Sequence, residues 1–301
     1  MKDQKAGHKS AHRETDNLEK DAIQHEAEEE SVTKATRLSS RLIYEVIRRD
    51  GEEELERPMP SLIWSGLAAG ILISLSVLGE GILRQHLPQD MAGRYLIENF
   101  GYSFGFLVVI FGRMQLFTEN TITTVLPVLA RQSRKALSAM LRLWAVVLTA
   151  NVVGALLAAL MMSKTNMLSA ELTEAVIALS DHAVTMGAGD SFIRAIPAGV
   201  LVAAIVWMMP SAEGNAFFVI LTFTWLIAAG DFTHVIAGSV EMWIMLLAGT
   251  MTPAAAAFGY FFPVLLGNII GGTAIFAILA WGQVYDEVRH GAGSGDGGQD
   301  G

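Results

Sequence analysis

Arg113-Met-Gln-Leu-Phe-Thr-Glu-Asn120 interrupts an apolar run of 32 residues, from 98 to 129. Gly230-Asp-Phe-Thr-His234 interrupts a second run of the same length, 216–247. A straight helix crosses a bilayer with about 20 apolar residues, so each run is too long for one span. Polar residues and non-helical backbone are tolerated at membrane depth only where they face protein or water. Both runs therefore read as broken helices. Matching interruptions in two halves of a chain point to a transport site.

Four other apolar runs, 61–83, 139–162, 191–209 and 262–282, suit one span each. The halves echo one another. Asn151-Val-Val-Gly154 recurs 117 residues later as Asn268-Ile-Ile-Gly271, and Phe117-Thr118 recurs 115 later as Phe232-Thr233. Three spans per unit force the second unit to insert upside down. The sequence thus predicts an all-α polytopic membrane protein, six transmembrane helices as two inverted three-helix repeats, with spans two and five broken.

Composition agrees. Apolar residues make up 52% of the 301 and charged ones 17%, well below the roughly 25% of soluble domains, and mean hydropathy is +0.41. The charge is also uneven. Residues 1–57 hold 15 acids and 11 bases, whereas 58–283 hold only 11 and 9. A net charge of -9 argues against nucleic-acid binding. With no cysteine there is no disulfide, thiolate metal site or cysteine nucleophile, and nothing in the sequence calls for a cofactor or a metal.

Four segments follow. Residues 1–35 read as a disordered charged tail. Residues 36–57 read as an amphipathic juxtamembrane helix ending near Gly51, with Leu38, Leu42, Ile43, Val46 and Ile47 at helical spacing and Arg41 four before Glu45. It could lie on the membrane, on the protein body or in solvent. Residues 58–283 form the membrane domain. Residues 284–301 form a flexible Gly-rich tail. Arg131, Arg134, Lys135 and Arg142 follow span two, while an acidic loop with Glu171, Glu174, Asp181 and Asp190 follows span three. The positive-inside rule then places both termini in the cytoplasm.

His234 is the one histidine inside a span. It stands at the second interruption, beside Thr233 and three residues after Asp231 at Gly230-Asp231. An ionisable group at that depth is a functional candidate by default, although a lone histidine can also be a satisfied core residue. Thr118 is its partner by repeat logic, able to donate to a substrate oxygen, accept from an imidazole N–H or satisfy freed backbone. Glu119 and Asn120 follow it, expected at the cytoplasmic mouth or as caps. Arg113 is expected in a structural ion pair with Glu98, Glu241 or Asp231, or snorkelling. Asn151 and Asn268, beside Gly154, Gly271 and Gly272, read as scaffold whose amides bond backbone freed at a break.

Leu116-Phe-Thr118, Phe232-Thr-His234 and the paired Asn-x-x-Gly spans together resemble the formate/nitrite transporter (FNT) family over about 58–283. The segment Arg48-Arg-Asp-Gly-Glu-Glu-Glu-Leu-Glu-Arg57 is similar in particular to a branch of bacterial inner-membrane members. The resemblance implies an aquaporin-like protomer, a homopentamer with one pore per protomer, and passage of small monovalent anions such as formate, nitrite, hydrosulfide or lactate. It makes His234 the pore histidine, Thr118 the threonine of the loop that interrupts helix two, and Leu116 and Phe117 neighbours of a hydrophobic constriction. Tyr102 and Phe106 should line the pore. The chain also departs from the family pattern. Gln115 replaces an acid, Thr233 a glutamate, and Gly199 and Gly238 replace asparagines.

The expected function is a channel or transporter in which His234, cationic or proton-donating, helps an anion through an apolar pore. Gly199, Gly238 and Thr233 would leave a roomier, less charged site, which makes a pore for a neutral or weakly acidic solute the rival. A non-transporting membrane anchor is a second rival. An intramembrane serine hydrolase is disfavoured, because Ser239 lies five residues after His234 on one helix. No enzymatic activity is expected.

Overall fold

The computed structural model describes residues 38–293, all helix and connections, with no strand among them. The expected tail, 1–35, and the last residues, 294–301, lie outside the described part. The elements below belong to one unit that begins at Ser40.

Helix α1 is Ser40–Glu56. It runs through Gly51 instead of ending there, and a Cβ at that position would fall on the Thr123 carbonyl. Close approach, not chain termination, is what this glycine serves. Tyr44, Ile47, Gly51 and Leu55 form the buried face. Leu42 and Val46, expected on the apolar stripe, are exposed. Glu45 bonds Arg48 and Arg49 and not Arg41.

Four helices among the described residues are long and apolar enough to cross a bilayer: Met59–His86, Arg134–Lys164, Ala188–Ala229 and Ala255–Val288. The first is α2. Then come α3 (Arg94–Glu98), a 3-10 turn (Asn99–Tyr102) and α4 (Ser103–Phe111). After the interruption follow α5 (Phe117–Thr123) and α6 (Val125–Arg131). Arg134–Lys164 is α7, started by a Ser133 hydroxyl that accepts from the Ala136 N–H. The acidic stretch after it is a helix, α8 (Ala170–Val184), where a loop was expected. Two expected spans follow as α9 (Ala188–Ala212) and α10 (Ala216–Ala229), joined by a short 3-10 turn. Past the second interruption are α11 (Val235–Ala248) and α12 (Ala255–Val288). Helix continues beyond 284, through Gly293.

Large apolar side chains point outward. Trp64 is 73% exposed, Phe258 71% and Leu279 68%. Water would penalise such a surface and lipid does not.

Helix α2 packs on α7, and α9 packs on α12. Both crossings are set by glycines. A Cβ on Gly154 would lie 2.4 Å from the Leu67 carbonyl, and one on Gly70 would meet the Asn151 backbone at 2.1 Å. In the other crossing Gly271 faces the Ile196 carbonyl at 2.1 Å and Gly199 the Asn268 carbonyl at 2.4 Å. Small residues let the backbones touch where lipid supplies no hydrophobic drive. Gly199 therefore fits a helix crossing and opens no space in a pore.

Candidate functional site

The two interruptions have the same backbone. Arg113 and Asp231, 118 residues apart, both take left-handed conformations, φ 49° and 53°. The N–H after each reaches five residues back, Met114 to Val109 and Phe232 to Ile227. That is a Schellman-type exit from the first half-helix. The second half-helix starts from an extended residue, Leu116 or His234, again 118 apart.

An asparagine holds each restart. Asn151 Oδ1 accepts from the Phe117 N–H at 2.9 Å, and its amide donates to the Gly66 and Gln115 carbonyls, both at 2.8 Å. Asn268 Oδ1 accepts from the Val235 N–H at 2.8 Å, and its amide donates to Ala195 at 2.8 Å and Thr233 at 3.0 Å. Both asparagines are fully buried. They satisfy backbone groups that the break frees and that lipid cannot. This geometry pairs Gln115 with Thr233 and Leu116 with His234. The Phe-Thr echo, at a spacing of 115, is out of register by three residues, so Thr118 is not the repeat mate of Thr233.

Thr118 nonetheless meets His234. Its hydroxyl oxygen lies 2.7 Å from His234 Nε2. On the other ring nitrogen, Nδ1 accepts from the Ala237 N–H at 3.2 Å, so His234 caps α11 with its side chain. A nitrogen that accepts carries no proton, and a neutral ring then holds its proton on Nε2 and donates it to Thr118. The Thr118 hydroxyl hydrogen has no acceptor among the described residues. An imidazolium would leave the Ala237 N–H without its cap. Of the two forms anticipated above, cationic or proton-donating, the arrangement suits the neutral donor.

Apolar rings close around this pair. The Phe106 and His234 centroids are 5.0 Å apart at 71°, and Tyr102 and Phe106 are 5.2 Å apart. Phe106, Leu116 and Phe117 are fully buried, and Phe117 packs edge-on to Trp144. Two cavities flank the plug. One, of about 340 Å³, is lined by Leu116, Arg113, Gln115, Glu119 and Asn120 with residues of α1. The other, of about 70 Å³, is lined by His234, Thr233, Asp231, Tyr102, Glu80 and Glu241, among others. No residue lines both, and Phe106, Phe117 and Thr118 line neither.

The structure thus gathers His234, Thr118, Phe106 and Tyr102 closely, and sets Leu116 and Phe117 beside them. Asp231 lies at the rim of the smaller cavity, where it accepts from Tyr95 at 2.6 Å and pairs with His182 at 3.0 Å and Arg194 at 3.5 Å. Thr233 lines the smaller cavity while its hydroxyl donates to the Ser191 carbonyl at 2.8 Å. Gly230 accommodates the Phe232 ring, and Gly238 the Tyr260 hydroxyl. Neither Gly199 nor Gly238 therefore supplies the roomier site expected of them. Asn120 donates to Gln115 at 3.0 Å, and Gln115 donates to Glu54 of α1 at 2.7 Å. Arg113 makes no ion pair with Glu98, Glu241 or Asp231. Glu98 is taken by Arg84 and Arg94 and Asp231 by His182 and Arg194, while Arg113 faces the larger cavity.

Sequence reasoning passed over Glu80 and Tyr260, and took Glu241 only as a partner for Arg113. All three are more than nine-tenths buried and line the smaller cavity. The signal was available, since acids are scarce between 58 and 283.

An all-helical membrane fold with two interrupted helices, an asparagine at each and an apolar plug around one histidine is the class this chain presents. Its comparisons narrow the class. Residues 41–282 match the family described as "Formate/nitrite transporter", and the chain belongs to that family. It is 40% identical over 256 residues to "Inner membrane protein YfdC" of Escherichia coli (strain K12), covering 84% of this chain and 82% of that one. It is 25% identical over 249 residues to "Formate channel FocA" of Haemophilus influenzae, covering 74% and 86%. Its fold superposes on a solved "Pentameric formate channel with formate bound" with a TM-score of 0.65 at 21% identity, over 75% of this chain and 97% of that one. The protein is a multi-pass membrane protein.

Proposed function

We propose that the chain is a passage for small monovalent anions of the formate and nitrite class, with His234 at its narrowest point. The observation that carries the reading is the buried His234–Thr118 bond in the plug between two cavities. Family membership and the formate-channel relatives support the substrate class.

The physics is a barrier problem. An apolar plug strips water from an ion, at several kcal/mol or more for an uncompensated charge. A donor placed inside the plug lowers that barrier. His234 donates through Thr118, whose free hydroxyl hydrogen can turn to the passing solute. The N–H groups at the starts of α5 and α11 add positive potential. Arg113 offers a positive charge in the larger cavity. The chain needs no covalent chemistry for this, and we assign it no reaction.

We further infer six spans with the second triplet inverted, a homopentamer with one pore per protomer, and a place in the bacterial inner membrane with both termini cytoplasmic. The larger cavity, beside α1, then opens inward. Residues 58–283 act as the membrane domain and 36–57 as its juxtamembrane helix.

Uptake of labelled formate and nitrite into proteoliposomes tests the reading. The wild-type protein should carry both faster than protein-free vesicles, and His234→Ala should lose most of that flux. Undiminished flux in the variant would remove His234 from the mechanism. Faster passage of glycerol than of either anion would favour a pore for neutral solutes.

A further inference from the structure

The smaller cavity holds an arrangement that the pore reading does not use. Glu80 of α2 is 5% exposed and Glu241 of α11 7%. Tyr102 is 6% exposed and Tyr260 of α12 1%. All four line the same space of about 70 Å³, next to His234. None of the four side chains makes a hydrogen bond or ion pair among the described residues. Their polar atoms are not sealed in protein but open onto the cavity, where they can bond whatever enters it.

The neighbouring charges do not serve them. Arg84, on the same helix as Glu80, donates to Glu98 at 3.1 Å, and Arg94 lies 3.5 Å from the other oxygen of Glu98. His182 of α8 and Arg194 of α9 both go to Asp231, which also takes the Tyr95 hydroxyl. Every base at the rim is committed to another acid. A metal is not called for either, since no group of three His, Cys, Asp or Glu able to hold one occurs among the described residues. What compensates Glu80 and Glu241 must arrive from solution, and a proton is the smallest species that can.

We propose that this chamber binds a small monovalent oxyanion through Glu80 and Glu241 in their protonated form together with Tyr102 and Tyr260. Anion occupancy is then coupled to proton uptake. Four O–H groups face one space, and each can donate. A protonated carboxylic acid beside a tyrosine is an established way to hold an oxyanion in an apolar site. Once ionised, a carboxylate only accepts and repels the anion. The cavity is several times the roughly 10–15 Å³ that one water needs, so a small ion fits. Protons come from the water on the chamber's own side, and no bond to carbon or nitrogen changes. The two carboxyls titrate as a pair. The proposal rests on the anion reading above and specifies where and in what protonation state the anion waits before the plug.

The test is labelled formate uptake by full-length protein in proteoliposomes at pH 5, 6, 7 and 8. Wild-type flux should fall as pH rises, by up to about tenfold per unit for each proton involved. The Glu80→Gln/Glu241→Gln variant should lose the slope whatever its level of flux, because an amide still donates but does not ionise. Glu80→Leu/Glu241→Leu should be slow at every pH, and single Glu241→Gln should have an intermediate slope. His182→Gln, at the exposed rim, should keep the wild-type slope. Size-exclusion profiles check that each variant is folded, and the Gln pair, nearly isosteric, is the one least expected to fail. A Gln pair with the wild-type slope, or a Leu pair with wild-type flux, overturns the chamber while a loss in His234→Ala leaves the pore reading standing. A wild-type protein that moves no formate at any pH overturns both.

Discussion

Break one, 112–116, and break two, 230–234, leave their first half-helices through the same left-handed turn and restart under the same asparagine clamp, yet they present opposite chemistry. Arg113 stands where Asp231 stands, Leu116 where His234 stands, and Gln115 where Thr233 stands. The backbone solution is a matter of satisfying polar groups where lipid offers none, so both breaks share it. The side chains are free of that constraint and differ. One break supplies an apolar wall and a cation, the other a hydrogen-bond donor and an acid. A single plug is assembled from the two, with Thr118 of the first bonded to His234 of the second.

If the clamps are equivalent, removing either should hurt equally, and this is the largest effect expected. Asn268→Leu orphans the Val235 N–H and the Thr233 carbonyl and takes a second donor from the Ala195 carbonyl, which sits inside α9. Asn151→Leu orphans the Phe117 N–H and the Gln115 carbonyl and takes a second donor from the Gly66 carbonyl, which sits inside α2. A buried group left unpaired costs about 1–3 kcal/mol, so with two such groups each variant should lose about 2 kcal/mol or more. Thermal unfolding in detergent reads it. A drop for one asparagine and none for the other would break the equivalence of the two sites.

Exchanging the N-cap residues addresses the difference. His234→Leu copies break one into break two. It removes the cap on Ala237, worth about 1 kcal/mol, and the donor to Thr118. A lost hydrogen bond to a charged solute is worth about 1.5–3 kcal/mol, so formate flux should fall about 10- to 100-fold. Adding Leu116→His should not restore it. Residues 116 and 118 are two apart on one element and do not face each other, so a histidine there cannot replace the bond across the plug. Restored flux would mean that either break can host the donor.

The glycine crossings give a smaller and again paired expectation. Gly70→Ala and Gly199→Ala each push a methyl onto the backbone of the clamp asparagine, at 2.1 and 2.4 Å. Overpacking of that kind costs about 1–3 kcal/mol. Both should lower the unfolding temperature by similar amounts. If Gly199→Ala instead leaves stability intact and alters flux, Gly199 belongs to the pore after all.

The helical class and the membrane setting followed from run lengths and hydropathy, which are local and additive along the chain. The two interruptions were legible for the same reason, since polar residues inside a 32-residue apolar run must face protein or water. Repeat register was not legible. Phe117-Thr118 and Phe232-Thr233 look alike as letters, but the hydrogen bonds of Asn151 and Asn268 fix a different pairing, and hydrogen bonds across 30 residues leave no trace in a string. The roles of Gly51, Gly199 and Gly238 were hidden likewise, because a glycine does not say which backbone or side chain presses against it. Glu80, Glu241 and Tyr260 come from three separate helices, and only the packing of those helices makes them neighbours. Arg113 was misread because two of its expected partners, Glu98 and Asp231, are held by Arg84, Arg94, Arg194 and His182, while the third, Glu241, lines the other cavity.

The smallest expected effect concerns the one feature of break one without a copy at break two. Helix α1 lies against it, with Glu54 accepting from Gln115 and Glu52 pairing with Arg131 at 2.8 Å. At break two the neighbour is α8, through His182. The α1 helix carries its own charge ladder, in which the Arg48 guanidinium at 2.8 Å holds the Glu45 carboxyl down at about 2, well below its usual 4.5. A carboxyl depressed in the folded state stabilises it above about pH 4.5, and that contribution is lost as pH falls through about 2. The pair is a third exposed on the Glu45 side, so solvent screening limits it to about 1 kcal/mol or less. Amide hydrogen exchange of α1 in detergent, corrected for intrinsic rates, should accelerate up to about fivefold between pH 5 and pH 2. Glu45→Gln should already show the faster rate at pH 5 and change little on acidification. The Val235 amide, clamped by Asn268 with no ionisable partner in its bond, should be unmoved over the same interval. Equal acceleration at Val235 would mean that acid loosens the whole fold and that α1 is not an independent feature of break one.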